Sequence, residues 1–102
     1  MTTDAVVTEA AHLQLRGKGR AWAPLDFLLG AHIPIITLEA VAHRRAVRLM
    51  QQYQDLPMDY ADATLVVLAE ALGVDEVFTT DRRGFSAYRG PRGRPFRILP
   101  DK

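Results

Sequence analysis

The sequence predicts an α/β domain built on a parallel sheet. Short runs of apolar and β-branched residues alternate with longer stretches of helical periodicity, a pattern that favours strands connected by helices over a helical bundle. The strand candidates are residues 33–38, 76–80 and 96–99. Because 102 residues are enough for one hydrophobic core only, we expect a single domain covering residues 1–102.

Residues 4–38 are predicted to form two helices and a strand. The first helix covers Asp4–Arg16, where apolar side chains recur at helical spacing and glycines follow directly. The second is short, since Pro24 suits its first turn and Gly30 ends it. The β-branched run Ile33–Leu38 indicates a buried strand. We expect Trp22 to pack in the core or against a helix rather than to stack on a base.

The middle of the chain is predicted to contain two longer helices. The first spans about residues 39–54 and the second residues 60–72, with Gly73 as the C-cap of the second. Pro57 separates the two helices, because the residue before a proline disfavours helical geometry. The core positions expected from these helices are Val41, Ala46, Leu49, Met50, Tyr53, Leu65, Val66, Leu68, Ala69 and Leu72.

The last quarter of the chain is predicted to contain two strands around a short helix. A strand over residues 76–80 leads into a helical turn around residues 84–88. Glycines and prolines make residues 90–95 a loop, and residues 96–99 form the final strand, which Pro100 ends.

Composition excludes several classes of protein. No apolar run approaches the length needed to cross a bilayer, and the first residues have no basic or apolar signal segment, so we expect neither membrane insertion nor export. The absence of cysteine excludes disulfides and thiolate chemistry and is typical of a cytoplasmic protein. Six arginines lie between residues 82 and 97. This basic end indicates either a site for an anionic ligand or a solvated surface.

Acidic residues occupy the positions where open α/β sheets place their chemistry. Asp81 follows the strand of residues 76–80, Asp59 and Asp62 lie at the start of the helix after Pro57, and Glu9 lies in the second turn of the first helix. Each has a simpler explanation. Glu9 could be an ordinary surface residue, Asp59 a helix cap, Asp62 a first-turn partner of the helix dipole, and Asp81 a cap of the following turn.

Carboxylates that converge from separate segments repel one another unless a proton, an arginine or a cation lies between them. A site with oxygen ligands alone favours Mg²⁺ or Mn²⁺. Such an ion can orient a phosphodiester and activate water, so this pattern favours hydrolysis of a nucleic-acid backbone. Arg82 and Arg83, directly after Asp81, are the best candidates for phosphate contacts.

These segments resemble the PIN-domain family, and within it the VapC-type toxins of toxin–antitoxin pairs. The resemblance is carried by LPMDYADATLVVLAE (residues 56–70), VFTTDRRGFSAYR (77–89) and FRILP (96–100), and the opening TTDAVVTEAAHL (2–13) is similar to the PIN segment in which a glutamate follows the second strand. The fold that it implies is a three-layer α/β/α domain with a parallel sheet.

The resemblance also implies roles for individual residues. Glu9, Asp62 and Asp81 correspond to the family's metal-binding acids, and Thr79 matches a small hydroxyl residue that helps to place the site. Asp59 matches an acid common in this subgroup and is expected to be a cap. The family implies a metal-dependent endoribonuclease acting on structured RNA, a small VapB-like antitoxin that inhibits it, and frequent homodimers.

The chain departs from the family pattern at its start. PIN domains begin with a strand that bears an aspartate, followed by a helix and a second strand, and this sequence shows no such segment. We therefore expect a fold that lacks the family's first strand and helix. The alternative to an endoribonuclease is a catalytically incomplete PIN scaffold that binds RNA or an antitoxin. An unrelated nucleotide-binding fold is disfavoured, because no glycine-rich phosphate loop is present.

Overall fold

The computed structural model describes residues 1–100, which form five α-helices and four short strands. The strands are β1 Thr2–Thr3, β2 Ile35–Ile36, β3 Glu76–Phe78 and β4 Arg97–Leu99. The helices are α1 Asp4–Arg16, α2 Ala23–Gly30, α3 His43–Gln52, α4 Tyr60–Leu72 and α5 Arg82–Ala87, with 3₁₀ turns at Ala40–Ala42 and Pro91–Gly93. The chain is therefore mixed α/β, as predicted from the alternation of its segments.

The four strands lie side by side in the order β2-β1-β3-β4. β1 pairs with β2 and β3 pairs with β4, in both cases in parallel. The main chain of Met1 joins the two pairs, because its nitrogen donates to the Glu76 carbonyl at 3.2 Å and its carbonyl accepts from the Phe78 nitrogen at 2.9 Å. That alternation is the pattern of a parallel ladder. Residues 1–3, at the start of the chain, thus lie in the middle of the sheet.

Helix α4 supplies the largest part of the core. Its residues from Asp62 to Ala69 are all buried, and the helix packs against α1, α3 and β1. Its ends match the prediction: Asp59 is the N-cap, and Gly73 has the left-handed φ of 67° that ends a helix without strain. Because caps fix both ends, the register of the buried face is also fixed.

Three positions predicted to lie in the core are exposed. Val41 is 83% exposed, because the helix predicted from residue 39 begins instead as a 3₁₀ turn and becomes α-helical only at His43. Leu72 is 51% exposed, since the buried run of α4 ends one turn earlier. Trp22 is 63% exposed ahead of α2, with the Arg20 guanidinium 5.9 Å from its ring centre.

The remaining predictions of secondary structure differ in their bounds, and β2, which was predicted to be buried, is only half-buried. Strand β2 keeps two residues of the predicted run 33–38, and β3 ends at Phe78 instead of residue 80. The helix expected around residues 84–88 begins earlier, at Arg82. Within residues 1–100, no helix has the length and apolar character that crossing a bilayer requires.

A chain of buried hydroxyl groups fastens α4 to the sheet and to α1. Thr64 Oγ1 lies 2.7 Å from the Ala61 carbonyl and 2.8 Å from Thr3 Oγ1. The Thr64 hydroxyl has one proton, which the carbonyl takes, so Thr3 donates to Thr64. Thr3 Oγ1 in turn accepts from the Val6 nitrogen at 3.3 Å and caps α1. The buried Thr3 hydroxyl thus links β1, α1 and α4.

We expect Thr3→Val to lower the free energy of unfolding by about 1–2 kcal/mol, because it removes the cap of α1 and the partner of Thr64. Urea unfolding followed by circular dichroism measures the change. Thr8→Val is the matched control, since the Thr8 hydroxyl is exposed and bonds only to the Asp4 carbonyl in its own helix. Equal stability of the two variants would contradict this account.

Candidate active site

Asp62 is a carboxylic acid buried in the first turn of α4. The residue is only 5% exposed. The turn is held by Asp59, whose Oδ1 accepts from the Asp62 nitrogen at 2.9 Å. Asp59 is therefore the cap that the sequence predicted. The cap holds the main chain of Asp62 in the first turn of the helix. The Asp62 carboxyl points inward from this turn.

Asp81 comes from the other side of the site, three residues after β3. Its Oδ1 accepts from the Gly84 nitrogen at 3.0 Å and caps α5, and its own nitrogen donates to Thr79 Oγ1 at 3.1 Å. Thr79 is buried and so holds this corner from inside. The two interpretations of Asp81, cap and site residue, are compatible, because the residue caps α5 through Oδ1 and also lines the acid cavity.

The short approach between Asp81 and α5 requires a glycine. A Cβ placed on Gly84 would collide with Asp81 Oδ2 and would crowd the Tyr88 ring. The sequence indicated Gly84 only as part of a helical turn. Its value to the site is that it lets the main chain come close enough to donate to the Asp81 carboxylate.

Asp62 and Asp81 form a coupled pair of carboxyl groups. The pKa of Asp62 is raised to about 8, mainly by burial and in addition by a hydrogen bond with Asp81 and by the charges of Asp59 and Asp81. At neutral pH the pair therefore carries a proton unless a cation takes its place. The proton thus relieves the repulsion that is expected between converging carboxylates.

Tyr88 is a site residue that the sequence did not reveal. Its hydroxyl lies 3.3 Å from Asp62 Oδ2, 3.3 Å from the Pro57 carbonyl and 3.5 Å from the Leu56 carbonyl. Its ring is buried edge-on against Phe85 and Tyr53, with ring centres 5.1 and 5.0 Å apart. Burial, followed by the charge of Asp62, raises the pKa of Tyr88, so the phenol keeps its proton and can donate it.

The acids line an open cavity of about 230 Å³. Asp59, Asp62, Thr79 and Asp81 line it, and Glu9 joins them from α1. Glu9 is exposed, and among residues 1–100 no three acidic or histidine side chains are close enough to form a ready-made metal site. The structure thus brings Asp62 and Asp81 into contact and places Glu9 on the same cavity without contact.

The chemistry of this donor set fits a hard divalent cation. All the polar side chains that face the cavity end in carboxyl or hydroxyl oxygens, which Mg²⁺ and Mn²⁺ prefer. Because Asp62 retains a proton, a positive charge at this position stabilises the pair of carboxyl groups. Asp62, Asp81 and Glu9 are the residues that could hold such an ion.

The two arginines after Asp81 have different surroundings. The Arg82 guanidinium donates to the Pro100 carbonyl, on the exposed side of α5. Arg83 lines a second cavity, which it shares with Asp81. The sequence gives no reason to distinguish the two arginines, whereas in the structure Arg83 shares a cavity with Asp81 and Arg82 contacts the Pro100 carbonyl.

Fold and site together define an α/β domain with an acidic cavity at the carboxyl edge of its parallel sheet. The chain is similar to Ribonuclease VapC26 of Mycobacterium tuberculosis (strain ATCC 25618 / H37Rv), with 36% identity over 78 residues. The match covers 76% of this chain and 58% of that protein, so the chain spans somewhat more than half the length of its relative. No protein-family model matches the chain. The chain belongs to the PIN-domain family, among its VapC-type members.

We expect the stability of the metal-free protein to fall as pH rises from about 4 to about 8. Unfolded Asp62 ionises near the ordinary aspartate pKa of 3.8, whereas the folded carboxyl keeps its proton to about 8, so the folded state binds more protons between these values. The loss is up to about 1.4 kcal/mol per pH unit. Asp62→Asn cannot ionise and should flatten the decline in melting temperature measured with EDTA. Asp26→Asn, at an exposed residue, should keep the wild-type slope.

We expect Tyr88→Phe to raise the pKa of Asp62 further, because the lost hydroxyl donates to the ionised carboxylate. Carbon-13 NMR titration of the aspartate carboxyls without divalent ions measures it. Tyr53→Phe is the matched control, since Tyr53 packs on the Tyr88 ring and its hydroxyl makes no contact with Asp62. A pKa of Asp62 that is the same in both variants would show that Tyr88 acts through its ring alone.

Proposed function

We propose that this chain carries the active site of a metal-dependent endoribonuclease, the toxin of a type II toxin–antitoxin pair. The observation that carries the proposal is the buried Asp62 carboxyl beside Asp81 on an open acidic cavity. The similarity to a protein named as a ribonuclease supports RNA as the substrate. An RNA substrate makes the cytoplasm the proposed place of action.

In this proposal Asp62 and Asp81 hold Mg²⁺ or Mn²⁺, and Glu9 completes the set from α1. When bound, the ion neutralises charge on the phosphodiester and lowers the pKa of a water molecule. Other residues of the chain hold these acids in position. Thr79 fixes the main chain at Asp81, and Asp59 fixes the first turn of α4.

The basic residues after Asp81 hold the RNA backbone. Arg83 does so from the cavity that it shares with Asp81, and Arg82 contributes positive charge from the exposed side of α5. We further propose a VapB-like antitoxin as the inhibitor and a homodimer as the assembled state, because both accompany the VapC-type resemblance.

A second candidate is a PIN scaffold that binds RNA or an antitoxin without cutting. The raised pKa of Asp62 favours it, since a proton alone is enough to relieve the repulsion within the acid pair. Calorimetric titration with Mn²⁺ separates the two candidates. Binding that is lost in Asp62→Asn is expected for a catalytic centre, and no binding in the wild type for a simple scaffold.

We expect the chain to cleave a labelled structured RNA only when Mg²⁺ or Mn²⁺ is present. Asp62→Asn and Asp81→Asn should each slow cleavage by at least about 100-fold, more than the loss of an outer-shell contact costs. Cleavage is followed on denaturing gels with EDTA as the metal-free reference. Glu70→Gln is the matched control, because Glu70 is an exposed acid on the same helix, 3.2 Å from Arg45. Equal cleavage by all four proteins would rule out the proposed site.

A further inference from the structure

A second cavity adjoins the acid cavity and shares Asp81 with it. Its volume is about 410 Å³, within the range of roughly 300–1,000 Å³ typical of small-molecule sites. One wall is α5, where Arg83 and Ala87 lie one helical turn apart. The opposite wall is the segment 55–57, which leads to the cap of α4. A ligand that crosses the acid cavity past Asp81 can therefore continue between these two walls.

The position of the two walls is fixed by a buried side chain. Tyr88 lines the cavity and is almost completely buried, and its hydroxyl reaches the carbonyls of Leu56 and Pro57 on the opposite wall. The same hydroxyl contacts Asp62 Oδ2. The hydroxyl at the floor of the cavity thus lies within hydrogen-bond distance of both the far wall and the acid site.

The lining combines apolar surface with one basic side chain, Arg83, and the carboxyl groups of Asp55 and Asp81. Leu56 is 49% exposed and, with Pro57 and Ala87, offers an apolar surface to a ligand. The exposed Arg83 supplies the positive charge, and none of the ion pairs described for residues 1–100 involves it. Apolar surface against a flat ring and a cation against the adjoining phosphate are the two requirements of an unpaired nucleotide.

We propose that this second cavity is the subsite for an unpaired nucleotide of RNA next to the scissile phosphate. The base packs against Leu56, Pro57 and Ala87, and the backbone runs past Arg83 toward Asp81. The assignment rests on the proposed function for the position of the scissile phosphate. RNA is favoured over a protein segment because the cavity is continuous with the acid cavity through Asp81.

The test is binding of fluorescein-labelled decauridylate, measured by anisotropy in EDTA so that no cleavage occurs. Ala87→Leu fills the cavity and should weaken affinity about tenfold, the size of losing one packed base. Arg83→Gln should reduce the salt dependence of binding by about 0.7 in slope, which corresponds to one phosphate contact. The matched controls are Ala71→Leu and Arg44→Gln, at exposed residues on other helices.

A second arm compares two ligands. A decamer with abasic residues should bind the wild-type protein about tenfold more weakly than decauridylate does, whereas Ala87→Leu should bind the two equally. The wild-type comparison stays informative if a substitution impairs folding, which thermal melting checks. If both cavity variants bind like their controls and the abasic decamer binds like decauridylate, the proposal is overturned and the cavity is left for a protein partner.

The result also separates this proposal from the proposed function. Binding that depends on Ala87 and Arg83 without any metal-dependent cleavage would support the nucleotide subsite and contradict the nuclease. Cleavage that depends on Asp62 but is unchanged in Ala87→Leu, measured as kcat/KM, would support the nuclease and overturn the subsite.

Discussion

The contact of the Asp62 carboxyl with Asp81 and Tyr88 is the interaction on which the rest of the site depends. Taking an ionisable group out of water destabilises a fold unless its partners compensate. Here the acid lies on α4, and its partners come from two other segments: Asp81 from the segment after β3, and Tyr88, the residue that follows α5. The acid is therefore in place only when the sheet and both helices are assembled.

Helix α4 tolerates this group because the rest of the helix is well anchored. Its buried run from Ala63 to Ala69 contributes apolar surface to the core, and Thr64 ties it to Thr3 on β1. Stability supplied by these residues offsets the unfavourable burial of Asp62. Active sites commonly hold such locally unfavourable groups within an otherwise stable scaffold.

Much of the scaffold could be predicted because its signals are local. The bounds of α1 and α4 follow from caps and glycines adjacent in sequence, and Asp62 and Asp81 follow from their places at a helix start and a strand end. What was missed depends on contacts between distant segments. The role of Tyr88 needs the approach of residues 56–57, 31 and 32 positions away in sequence, and the different surroundings of Arg82 and Arg83 need the fold of residues 95–100. Nothing near these residues in sequence encodes such contacts.

The errors in the core have a similar origin. Val41 and Leu72 are apolar residues at helical spacing, but whether such a residue is covered depends on where the neighbouring elements end. Local periodicity identifies the apolar face of a helix and does not show how far the partner helix extends along it. The turn at Ala40–Ala42 shows this most clearly, because a 3₁₀ start rotates the face away from the core.

The Tyr88 hydroxyl has a consequence for communication between the two cavities. A phenol has one proton, yet three acceptors surround it: Asp62 Oδ2 and the carbonyls of Leu56 and Pro57. These acceptors compete for the proton. A change that turns the hydrogen bond toward the carbonyls therefore alters the electrostatic field at Asp62. A change at Asp62 likewise alters the hydrogen bond to the carbonyls. A single phenol thus contacts both the acid of one cavity and the wall of the other.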